Sequence, residues 1–211
     1  MSRIKHIIFD LDGTIFNTDL SIFEIWKFLL KREFPEFDIN NYDIKKTLGI
    51  STEDAMKYFN LPYTDEFDYM FTIEYKHFSH LITIYEGMES ALKQLKDMGY
   101  SLGIVSSRPY REYDAYLKPL GLDYLFNSKV LKDDTIKHKP HPEPLLKYLE
   151  NNNLNKDECI YIGDMPTDIK CAKNANIKSA LMIWDTDKTI EIEPDYHFYS
   201  ASEMVHFFEN L

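Results

Sequence analysis

Short apolar runs that alternate with helical patterns constrain this chain more than any other feature. "HIIF" opens at residue 6, and "YSLGIV", "SKVLK", "ECIYIG", "KSALMIW" and "YHFY" follow from residue 100 onward. Between them the apolar period changes to that of a helix. "EGMESALKQLKDMG" sets Met88, Ala91, Leu92, Leu95 and Met98 on one face, with Gly99 as the stop. "RPYREYDAYLKPLG" reads as a helix that starts near Pro109 and ends near Pro119 and Gly121. "PEPLLKYLENN" carries Leu145, Leu146 and Leu149, and "TDIKCAKNAN" carries Ile169, Ala172 and Ala175. "SEMVHFFENL" is a closing helix with Ser200 or Ser202 as its N-cap. Strand and helix in alternation predict the α/β class, a doubly wound parallel sheet with helices on both faces.

One connection breaks the rhythm. The first strand ends near Asp10 and the next clear one begins near Tyr100, whereas a simple crossover needs only about a dozen residues. The excess is helical in pattern. "SIFEIWKFLLKREF" places Ile22, Ile25, Trp26 and Leu29 on one stripe, and "DEFDYMFTIEYKHFSHLI" does the same with Phe67, Met70, Phe71, Tyr75 and Phe78. The expected organisation is a discontinuous core of residues 1–15 and 86–211 with a helical domain, 16–85, inserted after the first strand. The aromatic stripes are read as that domain's own core.

Composition narrows the function classes. The 211 residues carry 24 Lys and Arg against 35 Asp and Glu, hence 24 − 35 = −11. Such a surface repels nucleic-acid backbones, so no nucleic-acid partner is expected. Two cysteines, Cys159 and Cys171, match no zinc or redox spacing and are read as reduced and partly buried. "MSRIKHIIFDLD" enters a strand at once and no stretch approaches transmembrane length, so the expectation is a cytoplasmic protein with no membrane partner, a monomer or homodimer.

In a doubly wound sheet, ligands bind beyond the carboxyl ends of the strands. The polar residues that follow each apolar run are therefore the candidates. Asp10 and Asp12 follow the first strand, Ser106 and Ser107 follow "LGIV", and Asp164 and Asp168 follow "IYIG". Lys139, in "HKPHPEP", precedes a helix. Taken singly, each has a plain reading as a turn residue, a cap or a solvated charge. A calcium loop at "DLDG" fails on spacing, because the glycine follows the second Asp directly.

"DLDGT", "VSS", the Lys of "HKPHPEP" and "GDMPTD" together resemble the four motifs of the haloacid dehalogenase-like superfamily, over nearly the whole chain. The similarity is greatest to the phosphoglycolate phosphatase-like branch, with its Rossmann-like core and helical cap inserted after the first strand. The resemblance implies an Mg²⁺-dependent phosphatase acting on a small phosphorylated metabolite. It makes Asp10 the nucleophile that becomes an aspartyl-phosphate, and Asp12 the general acid and base. The Asp10 charge should raise the pKa of Asp12. Mg²⁺ would bind Asp10, the Asp12 carbonyl and Asp164, with Asp168 directly or indirectly involved. Ser106 and the backbone N–H groups around Gly13 and Ser107 would take the phosphoryl oxygens. Mg²⁺ and Lys139 would offset the three charges of Asp10, Asp164 and Asp168 and admit a phosphate that the acidic surface repels. An Asp at position 12 argues for a P–O bond, since dehalogenases and phosphonatases of the superfamily lack it. Phosphoglycolate is the first substrate expectation. A phosphosugar mutase of the β-phosphoglucomutase kind and a nucleotide or pyrophosphate hydrolase are the alternatives.

The sequence departs from the family at Asn17, where Asp is common, and at Met165–Pro166 after Asp164. Arg108 could reach the far end of a substrate or lie on the surface, and the surface is the favoured reading. His138 and His141 read as solvated. Leu48 and Gly49 form either a loop that faces the site or a plain helix–helix turn.

Overall fold

The computed structural model describes residues 4–48, 50–185 and 192–211. The chain divides into two compact units, Met1–Phe16 with Ile84–Leu211, and Asn17–Thr83. Phe16–Asn17 and Thr83–Ile84 form a separate two-stranded sheet.

The first unit is built on six strands: β1 (His6–Phe9), β2 (Ser101–Val105), β3 (Ser128–Val130), β4 (Cys159–Gly163), β5 (Lys178–Met182) and β6 (Tyr196–Phe198). They lie in the order β3-β2-β1-β4-β5-β6, and every pairing is parallel. The direction of winding reverses beside β1, so the crevice between the ends of β1 and β4 is the switch point at which such sheets bind ligands. Strands covered on both faces must be apolar throughout, and Ile7, Ile8 and Phe9 have no exposed surface. Each contributes roughly 2 kcal/mol by leaving water. Helices Met88–Asp97, Glu143–Asn152, Pro166–Asn174 and Ala201–Glu209 match the periodic segments. Ser200 caps the last of them through the Glu203 N–H at 3.1 Å.

The stretch from Pro109 differs from expectation. It begins as one α-turn, Tyr110–Glu112, widens to a π-turn over Tyr113–Leu117, and tightens to a 3₁₀ turn at Lys118–Leu120. Lys118 donates its N–H five residues back, to Tyr113. Pro119 has no N–H to continue the ladder, and its ring crowds the preceding turn. Gly121, at φ +85°, ends the segment. Apolar periodicity alone does not reveal such a change of pitch.

The second unit is helical: Asp19–Glu33, Thr52–Tyr58 and Asp65–Phe78, with 3₁₀ turns at Ile39–Asn41 and Ile44–Thr47. Asn17 accepts from the Asp19 N–H at 3.3 Å and so serves the start of the first helix. Its aromatic residues pack together, with Trp26 against Phe59, Phe67 and Phe71 at centroid distances of 5.2, 5.8 and 4.8 Å. Leu48 follows a 3₁₀ turn, and Gly49 lies outside the described residues. Among the described residues no helix is long and apolar enough to cross a membrane.

Candidate active site

Asp10 is the first residue past β1, and its N–H bonds the Ile162 carbonyl of β4 at 2.8 Å. The backbone is therefore fixed by the sheet before the side chain begins. Leu11 is fully buried, which anchors the turn between the two carboxylates. The chain then folds back through three bonds to the Leu11 carbonyl, from Thr14, Ile15 and Phe16.

Lys139 reaches this turn from a remote loop. Its ammonium lies 2.8 Å from Asp10 Oδ1, 2.6 Å from Asp168 Oδ1 and 3.2 Å from the Tyr161 hydroxyl. An ammonium has three protons, and these acceptors use all three. The Tyr161 hydroxyl in turn donates to the Val105 carbonyl at 2.8 Å, just before Ser106. Asp168 also accepts from the Met165 N–H through Oδ2 at 3.0 Å. The loop is held by the helix that bears Asp168: the Asn174 amide donates to the Pro140 carbonyl at 3.0 Å and the Cys171 thiol to the His141 carbonyl at 3.1 Å. Both cysteines are buried free thiols.

Burial works against every charge in this network. It pushes the Asp10 carboxyl up; Lys139 opposes that shift, while Asp168 and Asp12 add to it, leaving Asp10 at about 7. Burial alone would lower the Lys139 ammonium, but Asp10 and Asp168 more than offset it and hold it charged. One ammonium thus faces a surplus of carboxylates, an arrangement that calls for a further cation. Asp10, Asp164 and Asp168 can each offer an oxygen within 4.8 Å of the others. A set of hard carboxylate oxygens is the kind that Mg²⁺ takes. Gly13 permits this closeness, because a Cβ on it would lie 2.3 Å from Asp164 Oδ2. Gly163 does the same for Asp168, whose Cβ and Cγ would be 2.4 Å away. The donor set fits the metal.

Ser106 is buried and Ser107 exposed. The Ser106 hydroxyl accepts from the Arg108 N–H at 3.3 Å. Arg108 does not lie on the surface, where the sequence alone would put it. Its side chain is 15% exposed and turns inward, with Nε 2.8 Å and Nη2 2.9 Å from the two oxygens of Asp12. Nη1 bonds Glu112 at 2.9 Å. The cause is charge: a carboxylate at a strand end and another one helical turn along give the guanidinium fork better partners than water offers in a half-buried position. His138 is exposed, and His141 accepts the Glu143 N–H at 3.2 Å.

Two participants escaped the sequence reading. Tyr161 lay hidden in an apolar strand, although a buried tyrosine needs a partner for its hydroxyl. Glu112 stands four residues after Arg108, a spacing that pairs charges on a helical turn.

The sequence model of the haloacid dehalogenase-like hydrolases matches residues 7–182. A protein of Listeria monocytogenes named pyrophosphatase PpaX is 32% identical over 96% of this chain and 95% of its own length. A Bacillus cereus protein of the same name is 30% identical over 99% of this chain and 98% of its own. Among solved structures, a Lactobacillus plantarum protein named as a candidate phosphoglycolate phosphatase superposes with a TM-score of 0.83 at 25% identity, covering 97% of this chain and 99% of that one.

Proposed function

This chain belongs to the haloacid dehalogenase-like hydrolases, and we propose that it is an Mg²⁺-dependent phosphatase that cleaves the P–O bond of a small phosphate compound through an aspartyl-phosphate at Asp10. The observation that carries the reading is the buried ion pair between Asp10 and Lys139, 129 residues apart in the chain, at the sheet's switch point. Lys139 holds Asp10 Oδ1, which aims the carboxylate and leaves Oδ2 to attack phosphorus. As that bond forms, the bond from phosphorus to the leaving oxygen breaks, and Asp12 gives the leaving oxygen its proton. Asp12 then takes a proton from water, which attacks phosphorus and releases Asp10 and phosphate.

Asp168 and Tyr161 keep the ammonium in place, so Lys139 stabilises charge on Asp10 and the phosphoryl oxygens without giving up its proton. Asp164 and Asp10 are the residues that would hold Mg²⁺, which when bound neutralises the phosphoryl oxygens. On this reading Ser106, buried just past β2, takes a phosphoryl oxygen through its hydroxyl. Asp168 serves chiefly to position Lys139, since both its oxygens are engaged.

Two substrate classes follow. Phosphoglycolate has the support of sequence resemblance and of the Lactobacillus plantarum likeness. Pyrophosphate has the support of relatives at 30–32% identity that carry that name. Asp10→Asn tests the common chemistry. With wild type releasing phosphate from p-nitrophenyl phosphate in an Mg²⁺-dependent manner, the variant should lose at least about a thousandfold in kcat. Near-wild-type turnover by a folded variant rejects the reading.

A further inference from the structure

We propose that Arg108 selects substrates whose leaving half carries its own negative charge. The inference rests on the phosphatase reading, in which Asp12 stands beside the leaving oxygen.

The guanidinium is divided between two tasks. Nη1 is anchored on Glu112, itself buried at the start of the π-turn. Nε and Nη2 form a parallel pair of donors aimed at Asp12, at 2.8 and 2.9 Å. That edge of arginine matches any carboxylate or phosphate, and Asp12 is the anion that fills it here. While both Asp12 oxygens are engaged, its carboxylate is not aimed at a leaving oxygen. The acid is therefore held away from its work by the arginine beside it.

An anion on the leaving half would exchange with Asp12 on the same donor pair. One carboxylate leaves the fork and another anionic group enters, so the net charge around Arg108 is unchanged. Glu112 keeps the guanidinium oriented during the exchange. Asp12, released, takes up a proton from solvent and is free to turn to the leaving oxygen as the acid. In pyrophosphate the second phosphate sits directly on that oxygen, and in phosphoglycolate the carboxylate is one methylene from it. A neutral alcohol offers nothing to the fork and leaves Asp12 bound. Anionic leaving halves thus gain twice, in binding and in release of the acid. The π-turn belongs to this device. Local widening of a helix commonly marks functional segments, and it begins at the residue after Glu112.

The test compares pyrophosphate and 2-phosphoglycolate with glycerol 3-phosphate, all with Mg²⁺. Arg108→Gln should lower kcat/KM for the two anionic leaving groups by roughly thirtyfold more than for glycerol 3-phosphate, the scale of a lost charged hydrogen-bond pair. The loss should fall on KM and kcat together. Arg108→Lys, which keeps the charge without the fork, should recover only part of it. Circular dichroism confirms that each variant is folded, and Arg108→Lys decides the matter should Arg108→Gln not fold. Equal losses for all three substrates, or a wild type that prefers glycerol 3-phosphate, overturn the inference. Asp10→Asn separates the two levels. If it abolishes turnover while Arg108 variants show no discrimination, the phosphatase reading stands and the role of Arg108 falls. If Asp10→Asn retains turnover, the phosphatase reading falls and this inference with it.

Discussion

Gly13 occupies a position with no room for a side chain. Its φ of +73° is one that other residues enter at a cost of roughly 1–2 kcal/mol. A Cβ there would also strike the Asp164 carboxylate, 2.3–2.7 Å away. Gly13→Ala should thus displace Asp164 as well as strain the turn. We expect Mg²⁺ affinity, measured by calorimetry without substrate, to fall about tenfold or more, the scale seen when residues supporting a metal ligand are changed. Unchanged affinity would separate Gly13 from the metal. The same scale explains why the two carboxylates of "DLDG" differ. Asp10 is buried and neutralised by Lys139, while Asp12 is half-buried and held by Arg108. In the folded chain, burial raises the Asp10 carboxyl, Lys139 opposes the rise, and Asp168 and Asp12 add to it.

At the level of elements, β1, β2 and β4 are each followed directly by a residue of the site, and the loop with Lys139 is clasped by the helix that begins just after Asp164. The strands were legible as short apolar runs, because parallel strands buried on both faces need no alternation, and the core helices by their period and the Gly or Asn that follows each of them. The positions of Asp10, Ser106 and Asp164 followed from those strand ends. What stayed hidden depends on the third dimension. Arg108 sits in a polar loop, and only the fold brings Asp12, 96 residues away, within its reach. The π-turn arises from Pro119 and packing rather than from periodicity. Glu74 falls on the apolar stripe itself, three residues after Phe71 and four before Phe78, and is buried between Arg32 and His77 at 3.3 and 2.5 Å. Apolar spacing marks the position as inward-facing but does not show the partners that let a carboxylate stand there.

For the whole molecule, burial of a carboxylate at the site couples folding to pH. Asp10 titrates near 7 when folded and at its ordinary value of 3.8 when unfolded. Between those values the folded state binds more protons than the unfolded one, so stability falls as pH rises from about 4 to about 7. Mg²⁺ on the Asp10 carboxylate should flatten that slope by favouring the ionised form. Thermal unfolding in EDTA should therefore show Tm falling across this window, and saturating Mg²⁺ should raise Tm most at its upper end. A metal effect that is the same at pH 5 and pH 7 would contradict this linkage. The central claim, that Asp10 becomes covalently phosphorylated, has a direct measurement. Acid quench during turnover followed by borohydride reduction converts an aspartyl-phosphate to homoserine, which peptide mass mapping locates. The account predicts homoserine at position 10, present with substrate and Mg²⁺ and absent without either. Phosphate release with Asp10 unmodified, or homoserine at another position, would contradict it.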